Sequence, residues 1–162
     1  MTNIVMALAT ISTGLMAGLF FAWSFSVNNG LANVGDILFI KTFQSMNKSI
    51  QNPFFSIIFI GAAFLTPWAL YLNSDATSSF TFLCLLAATI VYLVGSVGVT
   101  FFANLPLNES LDAFDADTAS SEDIIFQRRI FERKWNLFNT IRTISSLLAF
   151  VLLVICCVYP SI

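Results

Sequence analysis

Polar residues that could do chemistry crowd into one stretch: Asn136, Asn139, Thr140, Arg142, Thr143 and Ser146. Positions 136, 139, 143 and 146 recur at intervals of three and four, which puts them on one helical face with Arg142 at its border. An apolar run follows, so this face opens a membrane span. A guanidinium inside a membrane is costly and normally faces a bundle interior, a water-filled cavity or a partner. One reading is a polar pocket whose cation holds an anionic ligand or intermediate. The other starts the span near Thr140 and ends it at Tyr159, so that Arg142 snorkels to the inner headgroups. Residues 143–159 alone are somewhat short for a span, which draws Arg142 inward.

Three further polar groups stand near the same depth. They are Asn28 and Asn29, then Gln44, Asn47, Gln51 and Asn52, then Asn104 and Asn108 in the string Asn104-Leu105-Pro106-Leu107-Asn108. Amides meeting at one depth could line a cavity mouth. For any one of them, loop capping or headgroup contact is the plainer expectation. Phe20, Phe21, Trp23 and Phe25 could line an aromatic pocket, although lipid and core contact is the commoner role of such rings. Asp36, the one carboxylate beside the first span, could be a base, and is more simply a helix cap. Asp112, Asp115, Asp117, Glu122 and Asp123 lack the ordered spacing of a calcium loop and read as a solvated face. Asp75 falls in a short outer turn.

Other chemistries are excluded by what the chain lacks. It contains no histidine, which removes His-ligated haem, His-based zinc and an imidazole base. Cys84, Cys156 and Cys157 sit in apolar runs without a CxxC pair and read as small packing groups. With 7 Lys+Arg against 9 Asp+Glu, there is no basic excess to neutralise phosphates, so nucleic acid is not an expected partner.

Charged residues make up 10% of the chain and hydrophobic ones 57%, against about 25% charged in a soluble domain. Four long stretches are free of charge. Each exceeds the roughly 20 residues needed to cross hydrocarbon, and they predict spans near 4–27, 53–72, 80–102 and 137–159. The fold class expected is therefore all-α, an integral membrane four-helix bundle with short amphipathic cytoplasmic helices, forming one transmembrane domain over 1–162. The first uncharged run has no basic residue ahead of it and reads as a retained helix rather than a signal peptide. Lys41 and Lys48 fall between spans one and two, and Arg128, Arg129, Arg133 and Lys134 between spans three and four. The positive-inside rule puts both loops in the cytoplasm and both termini outside. Trp23 and Trp135 are then expected as inner interfacial anchors, with Trp68, Tyr71 and Tyr159 at the outer boundary. Thr10, Gly14, Gly18 and Ala22 form a small-residue strip suited to close helix packing.

The inner loops are patterned as well. From Asp36, residues Leu38, Phe39, Phe43, Met46 and Ile50 predict a buried helical face, with Gln44, Asn47, Lys48 and Gln51 opposite. Asn52-Pro53 stops that helix and starts span two. Asn108 is expected to cap a short helix over 109–114. Ser120 or Ser121, with Glu122 and Asp123 behind, is expected to cap a helix running unbroken to Tyr159, on the order of 58 Å long.

Several of these strings together resemble the anthrone oxygenase-like family. They are Gly18-Leu19-Phe20-Phe21-Ala22-Trp23-Ser24-Phe25, Phe43-Gln44 with Asn47 and Asn52-Pro53, Asn104-Leu105-Pro106-Leu107-Asn108, and Trp135-Asn136 with Asn139, Arg142 and Thr143. The resemblance covers nearly the whole chain in order. It implies a four-span membrane protein, and in some fungal polyketide pathways such proteins oxidise an anthrone to an anthraquinone with O2. No metal or flavin motif is evident, which suits a route without a cofactor. That chemistry needs a base for an activated C–H or phenol proton and dipoles to hold the resulting anion. Carried over by resemblance, Arg142, Asn139 and Asn136 would stabilise the anion, and Asn47, Asn104, Asn108 and Trp135 would contact substrate. Only Asp36 or the substrate's own acidity is left to account for the proton.

Two functions remain open on the sequence. One is an oxygenase acting on a hydrophobic aromatic or quinol-like small molecule, and it requires a cavity at Arg142 on which the amides converge. The other is a non-enzymatic membrane protein that binds lipid or assists a partner, with a tightly packed interior. A channel or transporter is a weaker third, because the spans carry few polar residues and no repeated charged ring.

Overall fold

The computed structural model describes residues 2–74 and 78–159; Asp75 lies outside them. The described residues form five helices: α1 (Thr2–Leu31), α2 (Asp36–Ile50), α3 (Pro53–Leu72), α4 (Ser79–Asp112) and α5 (Ser121–Val158). All but α2 are long and apolar enough to cross a membrane, and no strand occurs among the described residues. Helix α1 packs on α3 and α5, and α4 packs on α5 and α3. Lipid-facing side chains such as Ile57, Phe64 and Phe102 stay exposed. That inverts no rule in a bilayer, where the outer surface is itself apolar.

The helix starts follow the sequence signals. Asn52 caps α3 by accepting from the Phe55 backbone N–H at 3.0 Å, with Pro53 in the first turn. Ser120 caps α5 by accepting from the Asp123 N–H at 3.1 Å and donating to the Asp123 carboxylate at 2.7 Å. That helix then runs 38 residues without a break. One expectation is corrected. Asn108 caps nothing, because α4 continues through it to Asp112. Wide π-type turns at Leu93–Gly98 and Thr100–Asn104 immediately precede Pro106. They make room for the proline ring and its missing donor, so the helix does not have to end. The cap of α2 is Gly35, with Asp36 the first helical residue. There the Asp36 carboxylate complements the helix dipole and accepts from Arg128 at 2.9 Å.

The buried face of α2 is rotated from the expected one. Phe39, Ile40, Phe43 and Asn47 point inward, whereas Leu38 is 55% exposed. The reason is an aromatic cluster at the loop end of the bundle. Phe43 meets Phe131 at 4.7 Å and Trp135 at 4.9 Å, and Trp135 meets Trp23 at 5.2 Å. These ring contacts outweigh the gain from burying Leu38. Trp135 is therefore buried, with Trp23 half-buried against it.

Close approaches between spans use two glycines. A Cβ on Gly14 would come within 2.7 Å of the Phe150 ring, while Gly18 faces open space. Only part of the small-residue strip is a packing seam. The tightest approach is Gly95 of α4, where a Cβ would fall 2.6 Å from the Ser145 Cβ on α5. Gly95→Ala is expected to lower the thermal unfolding midpoint by separating these helices, at about 1–3 kcal/mol. Gly18→Ala should leave it unchanged or slightly raised, since it gains helix propensity at no steric cost.

Candidate functional site

Arg142 lies in the middle of α5 and is 6% exposed. Its Nη2 donates to Asn139 Oδ1 at 2.8 Å and its Nη1 to Thr100 Oγ1 at 3.3 Å. The guanidinium carbon stands 4.5 Å from the Phe20 ring centroid and 5.4 Å from that of Trp135. Its Nε has no partner. Every group that touches this cation is neutral, and none of the ion pairs among the described residues includes it.

The residues that hold Arg142 are themselves tied across the bundle. Asn139 Nδ2 donates to Ser24 Oγ at 2.8 Å, and Ser24 Oγ lies 2.8 Å from Thr143 Oγ1. Thr143 in turn donates to the Asn139 and Phe20 carbonyls. Thr100 donates to the Ser96 carbonyl at 2.8 Å, and Ser146 donates to Ser96 Oγ at 3.0 Å. Ser24 and Ser96 sit in the wide turns of α1 and α4, a kind of local rewinding that often marks functional positions. Spans one, three and four thus share one buried polar network around the cation.

Beside Arg142 is a cavity of about 100 Å³. Asn47 from α2, Phe55 from α3, Thr100, Asn104 and Asn108 from α4, and Trp135 from α5 line it, with Phe20 and Trp23 closing the α1 side. The amides are oriented. Trp135 Nε1 donates to Asn108 Oδ1 at 2.8 Å, leaving the Asn108 NH2 free of that bond. Asn104 Nδ2 reaches the Trp135 carbonyl at 3.5 Å, while its buried Oδ1 has no partner. Asn47 donates to Asp112 Oδ1 at 3.5 Å. The interior therefore holds an uncommitted acceptor, Asn104 Oδ1, and an uncommitted charged donor, Arg142 Nε. Buried polar atoms are rarely left so.

Of the residues singled out from sequence, Asn47, Asn104, Asn108, Trp135 and Arg142 converge on this cavity, and Asn139 supports Arg142 from behind. Asn136 does not line it; its carbonyl accepts from Thr140 Oγ1 at 2.9 Å. Gln51 stands at the cavity margin, and three further amides are committed elsewhere. Gln44 donates to the Leu111 and Phe114 carbonyls at the end of α4, Asn52 caps α3, and Asn29 donates to the Phe25 carbonyl. The Phe21 and Phe25 rings meet at 4.5 Å, tilted by 37°, and both are exposed. Asp36 is held by Arg128 and is not in the cavity lining. Asp115 accepts from Thr118 and from the Asp117 N–H in the loop, and these bonds pull its carboxyl below the usual range. Asp117 pairs with Lys41. Sequence reasoning missed Thr100 and Ser24. Each is a small hydroxyl in a largely apolar run, and only the unusual cost of an unpartnered Arg142 could have prompted a search for them.

A family model for anthrone oxygenases matches residues 43–152. The chain belongs to the anthrone oxygenase family. The matched stretch runs from the middle of α2 through most of α5 and carries every cavity residue except those of α1. No curated protein and no solved structure matches the chain. In this anthrone oxygenase family member a second, larger hollow of about 350 Å³ lies near the other end of the bundle, by Met6, Thr81 and Cys156. None of its described lining residues is charged.

Proposed function

We propose that the protein oxidises a hydrophobic aromatic, an anthrone or a quinol-like molecule, with O2 in the cavity beside Arg142. The observation that carries this reading is the buried guanidinium with neutral partners only. A cation so placed is poised for an anion that forms during reaction, because its charge is not already cancelled by a carboxylate. For an anthrone the balance is one CH2 and one O2 giving one C=O and one H2O. Loss of a proton from the CH2 leaves a delocalised anion whose oxygen faces Arg142. Electron transfer to O2 and recombination form a C–O bond, and protonation gives a hydroperoxide. Loss of water from that hydroperoxide leaves the ketone.

In this reading Arg142 is the catalytic residue, since it touches the reacting anion. Asn139 and Thr100 are positioning residues that aim it. Asn104, Asn108 and Asn47 orient the substrate's oxygens, and Trp135 and Phe20 provide faces for its rings. The cavity lining contains no carboxylate, so the substrate's proton leaves to water at the mouth beside Gln51. The charge of Arg142 makes that proton acidic enough to go. Asn136 has no part. The basic loops face the cytoplasm and both termini face out, which puts the cavity at the cytoplasmic edge of the hydrocarbon.

The test is oxygen uptake by the purified, metal-stripped protein in lipid nanodiscs, with a panel of anthrones and lipid quinols. Uptake that depends on the protein, with one O2 consumed per anthrone, supports the reading. No uptake from a folded, monodisperse sample, together with co-purification of stoichiometric anionic lipid, would replace it with a lipid-binding role for the same cation.

A further inference from the structure

The cavity is too small for the ligand that its polar atoms ask for. Pockets that enclose ligands of this size run to roughly 300–1,000 Å³, whereas this one measures about 100 Å³. Another hollow, of about 330 Å³, lies on the outer surface between α1 and α3. Its walls are Leu15, Met16 and Leu19 of α1 and Phe54, Phe55 and Ile58 of α3, nearly all apolar. Leu15 and Phe54 at its rim are exposed, and both belong to helices long and apolar enough to cross a membrane. The two hollows share two residues, Ile50 and Phe55. Phe55 is half-buried, and its ring stacks on Phe59 with centroids 5.5 Å apart and planes 10° apart. A single aromatic side chain at the start of α3, with Ile50 beside it, therefore forms the partition between an internal polar cavity and a lipid-facing groove.

We propose that Phe55 is a gate through which a bilayer-dissolved aromatic ligand reaches the Arg142 cavity sideways from the membrane. Rotation of the Phe55 ring merges groove and cavity into one space large enough for a fused-ring ligand. The oxygenated edge then meets Arg142 and Asn104, and the apolar remainder lies against Leu19 and Ile58. Position 55 thereby sets how bulky a ligand the site admits. The identity of the occupant rests on the oxygenase reading, while the route itself does not. The alternative route is aqueous, past Gln51, which is exposed at the cavity's other margin.

The test separates route from reaction by using a thiol probe rather than a substrate. In full-length protein with Cys84, Cys156 and Cys157 replaced by Ala, Leu105→Cys puts a reactive group in the cavity wall. Labelling in nanodiscs is followed with a bilayer-partitioned aromatic maleimide and with a charged, water-soluble one. Phe55→Ala should speed labelling by the lipid-borne reagent about tenfold and Phe55→Trp should slow it by about as much, in the manner of a gating side chain. The water-soluble reagent should be indifferent to position 55. Lipid-borne labelling that ignores both substitutions in folded protein, or labelling by the water-soluble reagent alone, would overturn the gate. Gated labelling alongside no oxygen uptake with any anthrone would instead sink the oxygenase reading and leave the route standing.

Discussion

Arg142→Met is expected to lower kcat by roughly 10²–10³-fold while leaving the thermal unfolding midpoint unchanged or raised. The two halves of this result have one cause. The guanidinium is buried against Asn139, Thr100 and two aromatic faces, with no carboxylate to offset its desolvation. Burying an unpaired cation costs free energy. Methionine fills much of the same space, keeps contact with Phe20 and Trp135, and removes that cost. Against this, Asn139 Oδ1 loses a donor, which returns about 1–3 kcal/mol. The balance should lie near zero or on the stabilising side. Arg142→Lys keeps the charge but not the planar fork that spans Asn139, Thr100 and the free Nε direction. It should fall between the parent and the methionine variant. Oxygen uptake with an anthrone, paired with unfolding in the same nanodiscs, reads both quantities. A methionine variant that unfolds many degrees earlier yet turns over normally per folded molecule would make Arg142 a structural strut.

The opposite pattern is expected at Arg128, which is half-buried. Arg128→Ala should cost about 1–3 kcal/mol of stability, chiefly from the carbonyls that lose a charged donor, with little change in kcat per folded molecule. Its Nη1 donates to the Val34 carbonyl at 2.7 Å and to Asp36 at 2.9 Å, and its Nε pairs with Glu132 at 3.0 Å. Its Nη2 reaches the Ala32 carbonyl at 3.2 Å, and the guanidinium sits 4.5 Å from the Phe39 ring centroid. One side chain thus satisfies the open carbonyls at the end of α1, holds the start of α2 and ties both to α5. Truncation strands two carboxylates and several carbonyls together. Asp36→Asn removes one partner and should cost no more than about 1 kcal/mol. A double-mutant cycle on Arg128 and Asp36, followed by SDS or thermal unfolding, isolates the pair. A loss of kcat equal to that of the Arg142 variants, without loss of stability, would contradict this division of labour.

The two arginines also show how the sequence reading succeeded and where it stopped. Both are one helix-face residue among polar neighbours, and the sequence distinguished them only by the length of the apolar run that follows. That was enough to draw Arg142 inward. It was not enough to show that Arg128 folds back on α1, because its carbonyl partners are backbone groups with no signature in residue type. Asn47 teaches the same lesson. By amphipathic pattern it belonged with Gln44 and Lys48 on the wet side of α2. Packing of Phe39 and Phe43 against Phe131 and Trp135 turned the helix and brought Asn47 to the cavity.

What the sequence determined alone was the solvent and the class of fold. Four uncharged stretches of that length have no aqueous solution, because each backbone must satisfy its own hydrogen bonds in hydrocarbon and does so as a helix. Local chemistry also settled the starts at Asn52-Pro53 and Ser120, since a cap and its target lie within three residues of each other. Tertiary structure decided everything that depends on side chains far apart in the chain. It made Trp23 and Trp135 cavity walls, set Thr100 and Ser24 around the cation, and left Asn136 aside. It also placed Phe55 between an internal cavity and the lipid. A span's hydrophobicity constrains which residues are in the membrane but not the rotation of each helix about its axis. That rotation is chosen by ring packing, close glycine approaches such as Gly95 on Ser145, and buried hydrogen bonds between spans, none of which is a property of one segment.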